Sequence, residues 1–255
     1  MSIKITSHTV VKNEDQWIWY SLMSVLPLVN KMIIYDTGST DNTVKIIKSI
    51  KSPKISFKQI LTKTRKDIVK LRQQQISETT TPWFILLDGD EIWPRKNLIK
   101  LINAAASADK KLLALFNRTK NCVGDIFHYL PEKKGLYSIK GKTGHLNMRM
   151  FRKNKDLRIT GEYPLEAFTH KGIPLQQLDD KIKFVDTWYL HTTHLPRSSR
   201  PAKEVIDRQK KQKFRLGVKM SKNDLPEVLW IKKPSIVPPP ITNRWQALAK
   251  LIIPK

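Results

Sequence analysis

A single cysteine, Cys122, stands in 255 residues, so no intrachain disulfide can form, and the chain suits a reducing compartment. No uninterrupted apolar stretch approaches the roughly 20 residues needed to span a bilayer, and the opening "MSIKITSHTV" lacks the apolar run of a signal peptide. Cytoplasmic synthesis without export is the expectation. Zinc-ligand spacings, an RNA-recognition signature, a glycine-lysine phosphate loop and internal repeats are all missing. Acidic residues are scarce, 22 against 47 Lys plus Arg, for a formal net charge of +25. The excess is uneven: +4 over residues 1–91, +11 over 92–199 and +10 over 200–255. Such a surface favours polyanions in general, whether nucleic acid, anionic lipid or phosphorylated substrate, without choosing among them.

What is present is alternation. With 40% hydrophobic residues the chain can bury a substantial core, enough for one large domain plus an extension. "KITSHTVV" predicts a strand, "NEDQWIWYSLMSVLPL" a helix with Trp17, Tyr20, Ser24 and Leu28 on one face, and "KMIIY" a second strand. "DTGSTDNT" supplies a turn and capping residues before "VKIIKSI"; "ISFKQI", "KDIVKLRQQQISE" and "WFILL" continue as strand, helix and strand. Strands separated by helical segments predict a parallel sheet with covering helices, whose ligands sit beyond the C-terminal strand ends. Asn13 with Glu14, Asp36, and Asp88 with Asp90 then fall on one rim.

The stretch "FILLDGDEIWP" crowds three acids into four positions, which calls for a compensating cation or a solvated turn. "VVKNEDQWIWYSL…KMIIYDTGSTDNT", followed by "ILLDGDE", resembles the nucleotide-binding half of family 2 glycosyltransferases, over roughly residues 5–95. The resemblance implies an α/β GT-A fold: a Rossmann-like, mostly parallel nucleotide-binding sheet flanked by helices, here with a basic helical C-terminal extension. It further implies an inverting enzyme with a D-x-D motif, of the bacterial envelope-glycan type (WcaA-like). On it, Val11, Asn13, Glu14, Asp36, Arg72, Asp88 and Gly89 surround a nucleoside-diphosphate sugar, expected to be UDP-linked. Asp90 leads as ligand of a divalent cation, Mn2+ or Mg2+, with Asp88 at the ribose or coordinating through water. Such hard ions take oxygen ligands and neutralise the departing diphosphate.

The second half is less regular. "KKLLALF" predicts a strand, and "MRMFR" followed by "GEYPLEAF" resembles a segment of bacterial family 2 enzymes in which a glutamate follows a glycine, here with one extra residue after Gly161. An inverting transferase needs one carboxylate as general base. Glu166 matches that position and Glu162 is the alternative, while either could pair with Arg149, Arg152 or Arg158. In "KFVDTWYLHTTHLPRSSR", His191 and His194 are candidate metal ligands; an extended chain would point them to opposite faces, so one is expected to face the ion.

From Arg200 a basic helix is expected, then a proline-rich spacer "KPSIVPPPIT", then "NRWQALAKLIIPK" with Trp245, Leu248, Ala249 and Ile252 as an apolar stripe. The expected organisation is a domain over 1–199, its nucleotide-sugar half at 1–95 and acceptor half at 96–199, with a basic extension over 200–255. The partners are a nucleotide-sugar donor, a glycan or lipid-linked acceptor and an anionic membrane surface at the cytoplasmic face, with no specific nucleic acid. The competing readings are a basic nucleic-acid-binding protein and a sugar-nucleotide pyrophosphorylase, although "VVKNEDQW" is not the latter's glycine-rich loop.

Overall fold

The computed structural model describes residues 3–62, 64–199, 213 and 217–252. β-Branched and aromatic side chains make strands of Ile5–Val11 (β1), Lys31–Asp36 (β2), Ile55–Gln59 (β3) and Trp83–Leu86 (β4). Between them lie helices Ile18–Val25 (α1), Thr43–Ser49 (α2) and Arg65–Glu78 (α3). The order β4-β1-β2-β3 is parallel throughout, as the alternation requires. The chain continues through Glu91–Ile92 (β5), Arg95–Ala106 (α4), Ala114–Val123 (β6), Asp125–Tyr129 (β7) and a hairpin of Tyr137–Ile139 (β8) and Lys142–Gly144 (β9). Leu146–Arg152 (β10) comes next, then a small sheet of Leu157–Thr160 (β11), Ala167–His170 (β12) and Ile173–Pro174 (β13), and Ile182–His191 (β14). Val218–Lys219 (β15) and Arg244–Ile252 (α5) complete the described elements. The main sheet runs β15-β7-β6-β10-β4-β1-β2-β3, with β14 pairing β6 and β5 off this path. β10 is antiparallel to both β4 and β6, so the sheet changes direction where β4 ends.

Helix α1 starts later than its apolar pattern suggests. Asn13 adopts a left-handed φ of 52°, and the amides of Asp15 and Gln16 bond to Asp41 Oδ2 and Arg197 O, so residues 13–17 form a loop wrapped by other loops. The helix is buried nearly all round, which requires cover on its outer side. The C-terminal segment provides it: Tyr20 Oη donates to Pro238 O at 2.7 Å and Gln16 Nε2 to Pro239 O at 2.7 Å. Val228, Leu229, Val237, Ile241 and Ala247 join the same core as α1. The proline-rich stretch is therefore a strap held against the domain. Among the described side chains of α5, Ala247 is fully buried while Trp245 of the expected stripe is 66% exposed. The basic helix expected from Arg200 lies outside the described residues.

Behind the C-terminal strand ends, an aromatic stack runs from His8 to Phe84, Phe151 and Phe168, with centroid separations of 4.4, 5.3 and 4.0 Å. His8 Nε2 lies 2.5 Å from Thr79 Oγ1. Burial, helped by the positive charge of Arg72, depresses the His8 pKa to about 3, so the ring is neutral in the folded protein. The unfolded chain takes up this proton near pH 6.5, so stability falls as the pH drops from 6.5 towards 3, at roughly 1.4 kcal/mol per unit. His8→Gln is expected to lose less melting temperature than the parent between pH 7 and pH 5; equal losses would remove His8 from the acid response.

Candidate active site

Parallel neighbours end together. Val11 lies opposite Asp36 and His8 opposite Leu86, so the loops after β1, β2 and β4 share one edge. A cavity of about 730 Å³ opens over it. Of the residues expected from sequence, Val11, Glu14, Arg72, Asp88, Gly89, Asp90, Glu166, His191 and His194 line this cavity, whereas Asn13, Asp36 and Glu162 do not.

The three absentees have structural occupations. Asp36 Oδ1 accepts the amides of Gly38 and Ser39 at 3.1 Å each, and its other oxygen accepts the Ser39 hydroxyl. Its carboxylate shapes the turn, and Thr37 lines the cavity in its place. Asn13 bridges the first two loops, its amide donating to Ser39 Oγ and its Oδ1 accepting Thr40 N, both at 2.8 Å. Glu162 is exposed on a turn closed by Leu165 N donating to Glu162 O at 2.7 Å. That turn, opened by Gly161 at φ 92°, absorbs the extra residue and returns Glu166 to the cavity.

Two arginines meet the carboxylate turn. A capping box starts α3, with Asp67 N donating to Thr64 Oγ1 at 3.3 Å and Thr64 N to Asp67 Oδ2 at 2.9 Å. Two turns on, the helix presents Arg72, 4% exposed, whose Nη2 donates to Asp88 Oδ1 at 2.8 Å and whose Nε lies 3.4 Å from Glu166 Oε1. Arg149 comes from β10, where the register against β6 shifts between Met148 and Met150. This bulge turns Arg149 onto the side of Tyr189: its Nε donates to Tyr189 Oη at 3.1 Å, and its Nη2 bonds Asp88 Oδ2 at 3.2 Å and Glu91 Oε1. Desolvation would raise the Asp88 carboxyl, yet Arg72 and Arg149 hold it below its ordinary value. Burial pushes the fully buried Glu91 up to about 7 against the pull of Arg149. Gly89 matters for close approach: a Cβ there would stand 3.0 Å from Glu14 Cγ and 3.1 Å from Val11 Cγ2.

His191 and His194 both line the cavity, because β14 ends at His191 and the chain turns before His194. The expected opposition of faces holds only for a continuing strand. His191 Nε2 lies 3.4 Å from Asp90 Oδ2, and its Nδ1 is 3.2 Å from Asn121 Oδ1, while Asn121 Nδ2 is 3.1 Å from His145 Nδ1. Desolvation disfavours the charged His191 ring, but Asp90 outweighs it and raises its pKa. Among the described residues no three His, Cys, Asp or Glu side chains converge as a metal cage. Asp90 with a neighbouring histidine fits an ion held jointly with substrate phosphates, the habit of hard divalent cations.

Arg197 was not legible from sequence. Its Nε donates to Asn13 O at 3.1 Å and its Nη2 stands 2.8 Å from Glu14 Oε1. Ser198 Oγ donates to Asp41 Oδ2 at 2.5 Å and Ser199 N to Asp15 Oδ1 at 2.8 Å, so the segment after β14 clamps the loops that follow β1 and β2. Arg149, expected only as a partner for Glu162 or Glu166, goes instead to Asp88 and Glu91, while Glu166 faces Arg72; Asn121 carries no signal in the sequence.

The description Glycosyl transferase family 2 matches residues 8–174. The chain is 30% identical over 169 residues to the SPbeta prophage-derived glycosyltransferase SunS of Bacillus subtilis (strain 168), covering 65% of this chain and 35% of that protein. It thus spans about a third of that relative's length. A protein named uncharacterized glycosyltransferase in Rickettsia prowazekii (strain Madrid E) is 26% identical over 235 residues, 85% of this chain and 73% of that one. Among solved structures, S. aureus TarS superposes with a TM-score of 0.52 at 16% identity, over 74% of this chain and 37% of TarS. Residues 1–349 of TarS in complex with UDP give 0.51 at 15% identity, over 74% and 60% of the respective chains. At these identities the likeness is one of fold, and the fold is GT-A.

Removing Arg149 leaves Glu91 and Asp88 short of positive charge. Arg149→Met is expected to cost about 3–5 kcal/mol in a denaturant titration, with part restored in Arg149→Met/Glu91→Gln. A loss under about 1 kcal/mol, the scale of an exposed pair, would show that the pairing does not hold the turn.

Proposed function

The chain belongs to glycosyl transferase family 2, and on that footing we propose that it moves a sugar, hexosyl in type, from a UDP-linked donor to a hydroxyl of a glycan or lipid-linked acceptor, inverting the anomeric carbon. The observation that carries this reading is the state of Glu166. Glu166 lines the cavity with one carboxylate oxygen facing Arg72 and with Oε2 buried and without a hydrogen-bond partner among the described residues, so the fold leaves an accepting atom of this carboxylate unused.

In this reaction the acceptor hydroxyl donates to Glu166 as its oxygen attacks the anomeric carbon from the face opposite the leaving group. The anomeric C–O bond breaks and its electrons go to the departing diphosphate. Arg72 orients Glu166, and because it also grips Asp88 the base is registered to the donor side. Glu14, Thr37 and Val11 shape the nucleoside end, with Asp36 and Asn13 holding their loops. Mg2+ or Mn2+, bound with the diphosphate, would be held by Asp90 and by His191 or His194, and would supply positive charge where the leaving group gains negative charge. The donor assignment draws on the UDP in the TarS complex. The family match gives no support to the nucleic-acid or pyrophosphorylase readings.

Glu166→Gln is expected to bind donor as the parent does and to lose about 10²–10⁴-fold in transfer. Should Glu162→Gln show that pattern instead, the base is misassigned. Asp90→Asn is expected to abolish transfer and remove the Mn2+ dependence of UDP binding, measured by calorimetry; near-native turnover would overturn its place as ligand. UDP-sugar at about 100 times its Kd should stabilise the fold by roughly 2.7 kcal/mol, more than GDP-, dTDP- or CMP-linked sugars at the same concentration.

A further inference from the structure

Among the described residues, four of the five most exposed large apolar side chains sit on loops framing the cavity. Leu136 is 91% exposed, Leu165 86%, Leu61 83% and Tyr137 66%. Tyr137 and Ile139 line the cavity from the β8–β9 hairpin, Leu165 immediately precedes Glu166, and Leu61 immediately precedes Thr62, another lining residue. Apolar projections placed around one opening mark a surface that something covers.

Leu136 and Tyr137 project from the base of the hairpin, opposite its turn at Lys140 and Gly141. Gly135 at its base is buried against the other strand, where an added Cβ would stand 2.1 Å from Gly144 C. Lys140 Nζ at the turn donates to Asp179 O at 2.6 Å and Ile182 O at 3.0 Å. With both ends of the hairpin held, Leu136 and Tyr137 stand exposed between them. Around them stand Lys133, Lys134 and Lys142, all exposed, and the nearby acid, Glu132, is already paired with Arg118 at 3.0 Å.

We propose that the cavity mouth docks on an anionic membrane surface through this hairpin. Leu136 and Tyr137 enter the interfacial layer while Lys133, Lys134 and Lys142 meet lipid phosphates. Charge complementarity selects this occupant: separate apolar tips between lysines suit a fluid anionic interface, where aliphatic, aromatic and cationic groups each find their own depth. An acceptor anchored in lipid would then reach Glu166 without leaving the surface. That last step rests on the transferase reading; the docking itself does not.

Co-sedimentation of the full chain with phosphatidylglycerol-containing vesicles and with pure phosphatidylcholine vesicles tests it, alongside UDP binding followed by thermal shift. The parent chain is expected to bind the anionic vesicles and to release them as salt rises. Leu136→Asp and the separate Lys133→Glu/Lys134→Glu variant are each expected to weaken vesicle binding about tenfold or more, with the shift by UDP unchanged. The proposal is overturned if the parent ignores anionic vesicles, if both variants bind them as the parent does, or if the hairpin substitutions act only on capture of a polypeptide acceptor. Vesicle binding through the hairpin without any shift by UDP would leave docking standing and sink the donor assignment, and the reverse result would do the opposite.

Discussion

Everything at the cavity floor depends on neutralising one short turn. Asp88, Asp90 and Glu91 lie within four residues at the end of a buried strand, and Glu166 comes back to join them. Unpaired, such a group could not be kept ordered beside the core. The positive charge arrives from two distant elements, Arg72 on α3 and Arg149 on β10, both bonded to Asp88. A compensating cation was foreseeable from the acids alone; that most of it is guanidinium was not. The division is useful chemically. Arginines cover Asp88 and Glu91, and Asp90 has His191 beside it.

The same economy governs the loops. Asp36, Asn13 and Asp41 spend their polar groups on backbone and neighbouring loops, and Arg197, from the segment after β14, bonds the loop after β1. This side of the cavity is thereby a fixed frame, whose lining comes from Val11, Thr37 and Glu14. Fixed frames cost little to organise at the moment of binding. The opposite side is built differently, from a projecting hairpin and a turn, both carrying exposed leucines.

The strap across α1 links this site to the chain's end. An amphipathic helix on a domain surface needs no lid, but α1 is buried nearly all round, and the bonds from Tyr20 and Gln16 to Pro238 and Pro239 hold its cover in place. Proline suits the task because its carbonyls accept while it has no amide proton left unpaired.

The sequence by itself determined the alternation of strands and helices, the shared rim and the acids upon it, since each follows from local periodicity or from a short motif. Arg72 and Glu166 were legible for the same reason, one on a well-capped helix and the other at a recognisable offset from a glycine. Only the tertiary structure decided the remainder. A β-bulge, invisible in a pattern of period two, turned Arg149 inward; a turn at Gly161 chose Glu166 over Glu162; the end of β14 brought both histidines to one cavity. In each case a single residue of slip changes which way a side chain points, and that slip is set by what packs against the strand from elsewhere in the chain.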